Sequence, residues 1–145
     1  MNGTVSLEGE TYQIKCVITV NPQNLLTNPR FEDGDNTWTV SGTGIKVLMD
    51  GKDSKDGNGY LHFYNDSDFT YDVTQTITLD AGIYRFGGYL QGGGNGEADS
   101  YEVYVSVDGK TQTEKGELNG WKNWSNPEVQ NIEITKDGTK VCRKI

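Results

Sequence analysis

Cysteine and histidine are scarce in this 145-residue sequence, which has only Cys16, Cys142 and His62. Zinc sites are commonly built from clusters of these two residue types, so the sequence argues against a zinc site. Cys16 and Cys142 could pair, but two thiols do not define a disulfide framework. A lone histidine such as His62 is more often a hydrogen-bonding surface group than a metal ligand or a catalytic base.

Positive charge and long apolar runs are also lacking. The sequence has 13 Lys+Arg against 21 Asp+Glu, a formal net charge of -8. Nucleic acids and anionic membranes are therefore poor candidate partners. No apolar run reaches the roughly 20 residues that a membrane-spanning helix needs. Binding of a neutral ligand remains possible.

No helical periodicity persists for three turns, whereas glycine is frequent, with 19 residues. Apolar residues alternate with polar ones in about nine short runs at roughly ten-residue spacing, the pattern of an all-β antiparallel sandwich. Three pairs read as tight turns: Asp108-Gly109, Asn119-Gly120 and Asp137-Gly138. The first and third are predicted to close β-hairpins.

A break at Asn21-Pro22 suggests a domain boundary at Gln23. Residues 1–22 are predicted to be the tail strand of a preceding immunoglobulin-like domain, or a linker, because residues 12–20 alternate and resemble the closing strand of bacterial immunoglobulin-like domains. Residues 23–145 are predicted to form the sandwich.

The stretch around residues 82–91 carries two interleaved rows of side chains. Successive side chains of a strand point to opposite faces, so Tyr84, Phe86 and Leu90 form a predicted core row. The opposite row consists of Arg85, Tyr89 and Gln91, which carry a guanidinium, a phenol and an amide. These groups suit a polyhydroxylated ligand, although a solvated outer face gives the same pattern. By the same alternation we predict burial of Leu61, Phe63, Val103 and Val105, and of Trp38 near the start of the sandwich.

Three segments resemble a known family. Residues 24–32 (Asn-Leu-Leu-Thr-Asn-Pro-Arg-Phe-Glu) and 79–86 (Leu-Asp-Ala-Gly-Ile-Tyr-Arg-Phe) resemble motifs of the jelly-roll carbohydrate-binding modules. Residues 120–127 (Gly-Trp-Lys-Asn-Trp-Ser-Asn-Pro) are similar to carbohydrate-binding module family 61, attached to bacterial endo-β-1,4-galactanases. Residues 53–63 and the glycine-rich loop 92–96 also fit, so the resemblance covers roughly residues 23–138.

The resemblance implies a jelly roll that binds β-1,4-galactan without catalysis. It also implies a secreted or cell-surface monomer that tethers a linked glycoside hydrolase to plant cell-wall polysaccharide. Sugar rings have apolar faces and polar rims, so a binder needs flat aromatic rings with hydrogen-bonding groups around them. The predicted ligand-binding residues are Trp121, Trp124, Tyr89, Arg85, Gln91, Tyr104, Glu102, His62, Tyr64 and Asn123. Each tryptophan could instead belong to the core.

The family commonly holds a structural calcium, for which the resemblance implies Glu32 and Asp56 as candidate ligands. Calcium takes six to eight oxygens as a rule. The family's C-terminal aspartate has no counterpart here, and a solvated acidic loop is the alternative. The chain also stops before the family's usual last strand. An unpaired sheet edge is therefore expected, which residues 12–20 could fill.

Two other functions stay open. The chain could be a structural or adhesive β-sandwich of a bacterial surface protein that has no sugar site. Because carboxylates are abundant, it could also be a small glycosidase that uses two of them.

Overall fold

A computed structural model describes residues 2–7, 10–15, 23–92 and 101–144. All regular structure in these ranges is β-strand, and the predicted all-β antiparallel sandwich is confirmed. No helix with the length and apolarity needed to cross a membrane occurs in them. The strands are β1 (Asn2–Leu7), β2 (Glu10–Lys15), β3 (Thr39–Gly42), β4 (Ile45–Leu48), β5 (Tyr60–Phe63), β6 (Tyr71–Leu79), β7 (Gly82–Gly87), β8 (Leu90–Gly92), β9 (Tyr101–Val107), β10 (Lys110–Gly116), β11 (Gly120–Ser125), β12 (Glu128–Ile134) and β13 (Thr139–Lys144).

One layer of the sandwich is a five-stranded antiparallel sheet with the order β10-β9-β13-β6-β3. Strand β13 is an inner strand, because Val141 pairs with Ile77 of β6 on one side and with Val107 of β9 on the other. The expected open edge is therefore not found beside the end of the chain. The idea that residues 12–20 fill such an edge is not supported, because the described part of that segment, in β2, pairs with β1.

The other layer is built from antiparallel pairs: β7 with β12, β8 with β11, and β4 with β5. Gly88 and Tyr89 separate β7 from β8, and Asn126 and Pro127 separate β11 from β12. The two interruptions face each other, since Gly88 N–H donates to the Pro127 carbonyl at 3.3 Å. Pro127 has no N–H to donate to the hydrogen bonds between the strands, so the strand pairing is interrupted at this point. The residues between the paired strands, such as Tyr89, are therefore not held in the alternation of a β-strand.

The core lies between the layers in two clusters. The larger is formed by Leu79, Phe86, Val103, Val105, Val129, Ile132, Ile134 and Val141, and the smaller by Phe31, Trp38 and Val73. Burial of Phe86, Val103, Val105 and Trp38 was predicted and is confirmed. Tyr84, Leu61, Phe63 and Leu90 are only half-buried, contrary to the prediction. The last three line an open cleft, and Tyr84 turns its hydroxyl to the Asp80 carbonyl.

The turns show which hairpin signals were right. Asp108 and Gly109 both have positive φ, 48° and 78°, and join the paired strands β9 and β10, so this hairpin is confirmed. The predicted hairpin at Asp137-Gly138 is wrong, because the turn joins β12 to β13, which belong to different layers. Asp137 Oδ1 instead accepts a hydrogen bond from Ala81 N–H at 2.8 Å, which ties the turn to the start of β7.

A buried amide anchors the segment before β3. Gln75 of β6 is only 5% exposed, and its Nε2 donates to the Thr27 carbonyl at 2.9 Å while its Oε1 accepts from Thr27 N–H at 3.1 Å. Arg143 of β13 is equally buried and donates from Nη2 to the Gln75 carbonyl at 3.3 Å. These bonds fix Thr27 against the sheet, although residues 24–38 contain no strand.

Some predictions fall outside the described residues. They concern Cys16, residues 16–20 of the predicted first strand, and residues 93–96 of the glycine-rich loop. In the described part of the chain Cys142 has no disulfide, and whether it pairs with Cys16 stays as open as the sequence left it.

Candidate functional site

An open cleft of about 1400 Å³ runs across the layer that contains β5, β7, β8 and β11. Its walls come from those strands, from the loop between β4 and β5, and from the segment before β3. Most of the predicted ligand-binding residues line it, namely Trp121, Trp124, Tyr89, Arg85, Gln91, His62 and Tyr64. Sequence reasoning therefore assigned to one site residues that the structure brings into one cleft, although His62 and Trp124 lie 62 positions apart in the chain.

Tyr89 and Trp124 form an aromatic corner in this cleft. Their ring centroids are 6.5 Å apart and their planes are nearly perpendicular, at 88°. Tyr89 lies in the break between β7 and β8 and is 60% exposed, and Trp124 lies on β11. Trp124 is half-buried, and two accessible ring faces at a right angle can hold one flat apolar ring face and contact its edge.

Trp121 is a second exposed ring, with 67% of its surface accessible. Its indole N–H donates to Asp53 Oδ1 at 2.7 Å, and the Asp53 carbonyl accepts from Gln91 Nε2 at 2.7 Å. Gln91 Oε1 accepts from the backbone N–H of Lys122. These bonds lock the loop between β4 and β5 onto β8 and β11, so Gln91 positions the site with both ends of its amide.

Each of these rings also contacts an ammonium group. Lys55 Nζ lies 4.8 Å from the centroid of the Tyr89 ring and 5.3 Å from that of Trp124. Lys122 Nζ lies 4.7 Å from the centroid of Trp121. Such cation–π contacts are weak at exposed sites, about 0.5–1 kcal/mol. The two ammonium groups can therefore leave the ring faces at a small cost in free energy.

Polar groups stand around the rings. The Arg85 guanidinium is 3.6 Å from Glu128 Oε1 and is 64% exposed, so most of its N–H donors face the cleft or solvent. The hydroxyl of Tyr64 donates to Asp66 Oδ1 at 2.7 Å, which raises the pKa of Tyr64. The Arg85 guanidinium can donate to hydroxyl oxygens, whereas the Tyr64 oxygen, whose one proton is given to Asp66, can accept from a hydroxyl.

Tyr60 adds a further phenol beside His62. Partial burial, and then the hydrogen bond that it donates to Asp50 Oδ1 at 2.9 Å, raise the pKa of Tyr60 to about 12. Its hydroxyl is therefore protonated throughout the neutral range. The cleft continues to a cluster of aromatic rings. The centroid of the Phe63 ring lies 4.9 Å from that of Tyr101, in a tilted contact, and 5.8 Å from that of Tyr71, in a stacked one.

Three predicted ligand-binding residues do not line the cleft. Glu102 and Tyr104 lie on β9 in the five-stranded sheet, and their neighbours Val103 and Val105 point into the core. Alternation gave their face correctly but not the sheet to which their strand belongs. Asn123 is exposed and donates from Nδ2 to the Asn119 carbonyl at 2.9 Å, which stabilises its own turn.

Sequence reasoning missed residues that the structure brings to the site. Asp53 and Lys55 lie in a polar loop that carried no pattern, and Tyr71 and Tyr101 lie on strands that belong to the other sheet. The only available signal was the resemblance of residues 53–63 to the family.

The predicted calcium ligands are otherwise engaged. Glu32 Oε1 accepts N–H groups of Asn58 at 2.7 Å and Gly59 at 2.9 Å, and Asp56 forms a 2.9 Å ion pair with Arg30. Within the described ranges no group of three or more His, Cys, Asp or Glu side chains could hold a metal ion. Calcium sites also take backbone carbonyl oxygens, and calcium binding stays an untested prediction.

The backbone donors have a clear effect on Glu32. The N–H groups of Gly59 and Asn58 hold its pKa below the usual value. The carboxylate fits closely under the loop, because a Cβ on Gly57 would come within 2.0 Å of Glu32 Oε1. In this structure Glu32 therefore braces the loop that carries Asp53 and Lys55.

Comparison with known proteins gave no matching family model and no matching curated protein. Among solved structures the chain is similar to TmCBM61, whose structure was determined in complex with β-1,4-galactotriose. The sequence identity is 27%, the similarity covers 86% of this chain and 89% of that chain, and the TM-score is 0.65.

Proposed function

This chain has the fold of the family 61 carbohydrate-binding modules, as its motifs predicted, and on that premise we propose that it is a non-catalytic module that binds β-1,4-galactan. The observation that carries the proposal is the cleft, in which exposed Tyr89 and Trp121 and half-buried Trp124 lie on a fold similar to that of a protein solved with galactotriose. Stacking on such rings removes the apolar face of a sugar from water.

The polar residues of the cleft suit a neutral ligand. Arg85 and His62 place donors around the rings, the Tyr64 oxygen is an acceptor, and the protein as a whole is acidic, with net charge -8. A long-range field of this sign repels polyanions and leaves neutral chains unaffected. Hydrogen bonds to hydroxyl groups then orient the sugar rings that the aromatic faces hold.

The carboxylates of the cleft favour binding over hydrolysis. Each described carboxylate that lines it has a neighbouring donor: Asp53 with Trp121, Asp56 with Arg30, Asp66 with Tyr64 and Glu128 with Arg85. A glycosidase needs one carboxyl kept protonated in an apolar pocket and a second one free to act on the sugar. These paired groups support a binding role.

For the whole protein we propose that the module acts outside the cell, secreted or on a bacterial surface, as a monomer. It would hold a linked glycoside hydrolase on plant polysaccharide, because tethering raises the local concentration of substrate at the linked active site. Comparing an endo-galactanase joined to this chain with the same two proteins unlinked tests this role. Faster release of sugar from insoluble galactan by the linked form alone is the expected result.

The binding proposal is tested by calorimetry or affinity electrophoresis with β-1,4-galactan, with cellulose and xylan as controls. We expect saturable binding to galactan and none to the controls. Absence of binding to any glycan on an array would favour the structural or adhesive sandwich. Release of reducing sugar from galactan by the isolated chain would instead show a glycosidase.

A further inference from the structure

Lys55 occupies the place where a sugar would stack. Its Nζ is within 4.8 Å of the Tyr89 centroid and 5.3 Å of the Trp124 centroid. Because those rings meet at 88°, an ammonium group that contacts both of them lies inside the aromatic corner. A sugar ring and this ammonium cannot contact the same ring faces together.

The backbone around Lys55 is anchored on both sides. Before it, Asp53 binds Trp121 and Gln91, and the Ser54 hydroxyl donates to the Gly57 carbonyl at 2.7 Å. After it, Asp56 pairs with Arg30 at 2.9 Å. The loop therefore presents Lys55 to the corner from a fixed position, and only its flexible four-carbon stem is left to move.

The ring faces are the contacts that hold the ammonium. Within the described ranges, Lys55 forms no ion pair with a carboxylate. When the Lys55 ammonium leaves the rings, it loses only exposed cation–π contacts. It becomes fully hydrated in return, which offsets part of that loss.

We propose that Lys55 is an internal occupant of the aromatic corner that leaves when a sugar ring stacks on Tyr89 and Trp124. The inference rests on the proposed function, since it assigns these two rings to the ligand. In the free protein Lys55 covers an accessible aromatic surface. A ligand must displace it to bind, and only a ligand whose apolar face fits the two rings well gains enough free energy to do so. Lys55 thus lowers the affinity for any ligand that must displace it from the two rings and excludes ligands that stack on them weakly.

Titration calorimetry with β-1,4-galactotriose tests the proposal on four proteins: the wild type, Lys55→Ala, Lys55→Arg and Lys52→Ala. Removing the ammonium should raise affinity roughly threefold to tenfold, as expected from releasing one or two exposed cation–π contacts. A guanidinium stacks on aromatic faces better than an ammonium, so Lys55→Arg should bind more weakly than the wild type. Lys52 is an exposed lysine of the same loop, so Lys52→Ala removes the same charge and should bind like the wild type.

A second readout follows the lysine itself. In the free protein the ε-methylene protons of Lys55 should show an upfield ring-current shift by NMR, and saturation with galactotriose should abolish that shift. A shift that persists in the complex would overturn the proposal, as would equal or weaker binding by Lys55→Ala beside a binding wild type. If neither protein binds galactotriose, the proposed function fails, and this inference fails with it.

Discussion

The indole N–H of Trp121 donates a 2.7 Å hydrogen bond to Asp53 Oδ1, so a loop carboxylate holds an exposed ring upright at the edge of the cleft. We expect Asp53→Ala to weaken galactan binding by about threefold to tenfold, because loss of a hydrogen bond to a charged group frees the ring. Asp53→Asn keeps an oxygen acceptor at this position and should retain most of the affinity. Calorimetry on the pair is the measurement, and equal losses in both variants would contradict a positioning role.

The aromatic corner should supply much of the binding energy. Truncation of a stacking aromatic at a well-packed centre costs about 2 kcal/mol or more, roughly a thirtyfold loss of affinity. We therefore expect Trp124→Ala and Tyr89→Ala each to weaken galactan binding strongly while the thermal unfolding temperature changes little. If both variants bind as tightly as the parent, the ligand lies elsewhere, most simply on the loops at the edge of the sandwich.

Stability should depend on the core side of β7 and not on its outer side. Phe86 is 6% exposed and lies in the larger core cluster, so Phe86→Ala should cost about 3–5 kcal/mol of unfolding free energy. Ile83 on the same strand is 76% exposed, and Ile83→Ala should change stability by less than about 0.5 kcal/mol. Urea denaturation of the two variants measures the contrast, and similar losses would mean that the register of β7 is wrong.

Glu32 should make the fold sensitive to acid. Its pKa is lowered by the N–H groups of Gly59 and Asn58, so its stabilisation is present above the ordinary carboxyl pKa and is lost as the pH falls through the lower folded value. We expect Glu32→Gln to have a lower unfolding temperature than the wild type at pH 7, and the gap should close on acidification. Glu133→Gln, an exposed carboxylate on β12, serves as the control. A gap that is independent of pH would show that the charge of Glu32 does not matter.

Binding should depend little on salt. A neutral galactan releases no counterions on association, unlike a polyanion. Calorimetry at low and high salt should therefore give similar affinities. A steep loss of affinity with salt would indicate a charged polysaccharide such as a pectin, with Arg85 and Lys122 as its contacts.

The sequence was most informative where one local pattern decides the structure. Alternation placed Val103 and Val105 in the core, and two consecutive residues with positive φ explain why Asp108-Gly109 closes a hairpin. Alternation says nothing about which sheet a strand joins, and for that reason Tyr104 was predicted in the cleft although β9 lies in the other layer.

The other omissions have the same origin. The positions of Asp53 and Lys55 depend on hydrogen bonds from a patternless loop to residues far along the chain. Gln75 and Arg143 have polar side chains, and only their partners across the fold make it possible to bury them.

The inner position of β13 has a consequence for the order of events in biosynthesis. This strand is the last described segment of the chain, yet it pairs with both β6 and β9. During translation, β6 and β9 leave the ribosome before the strand that pairs with both of them. Native pairing of the large sheet therefore cannot be completed before Thr139–Lys144 has been synthesised. The pairing of β13 with β6 joins residues that lie far apart in the sequence, the kind of contact that makes β-sandwiches slow to fold.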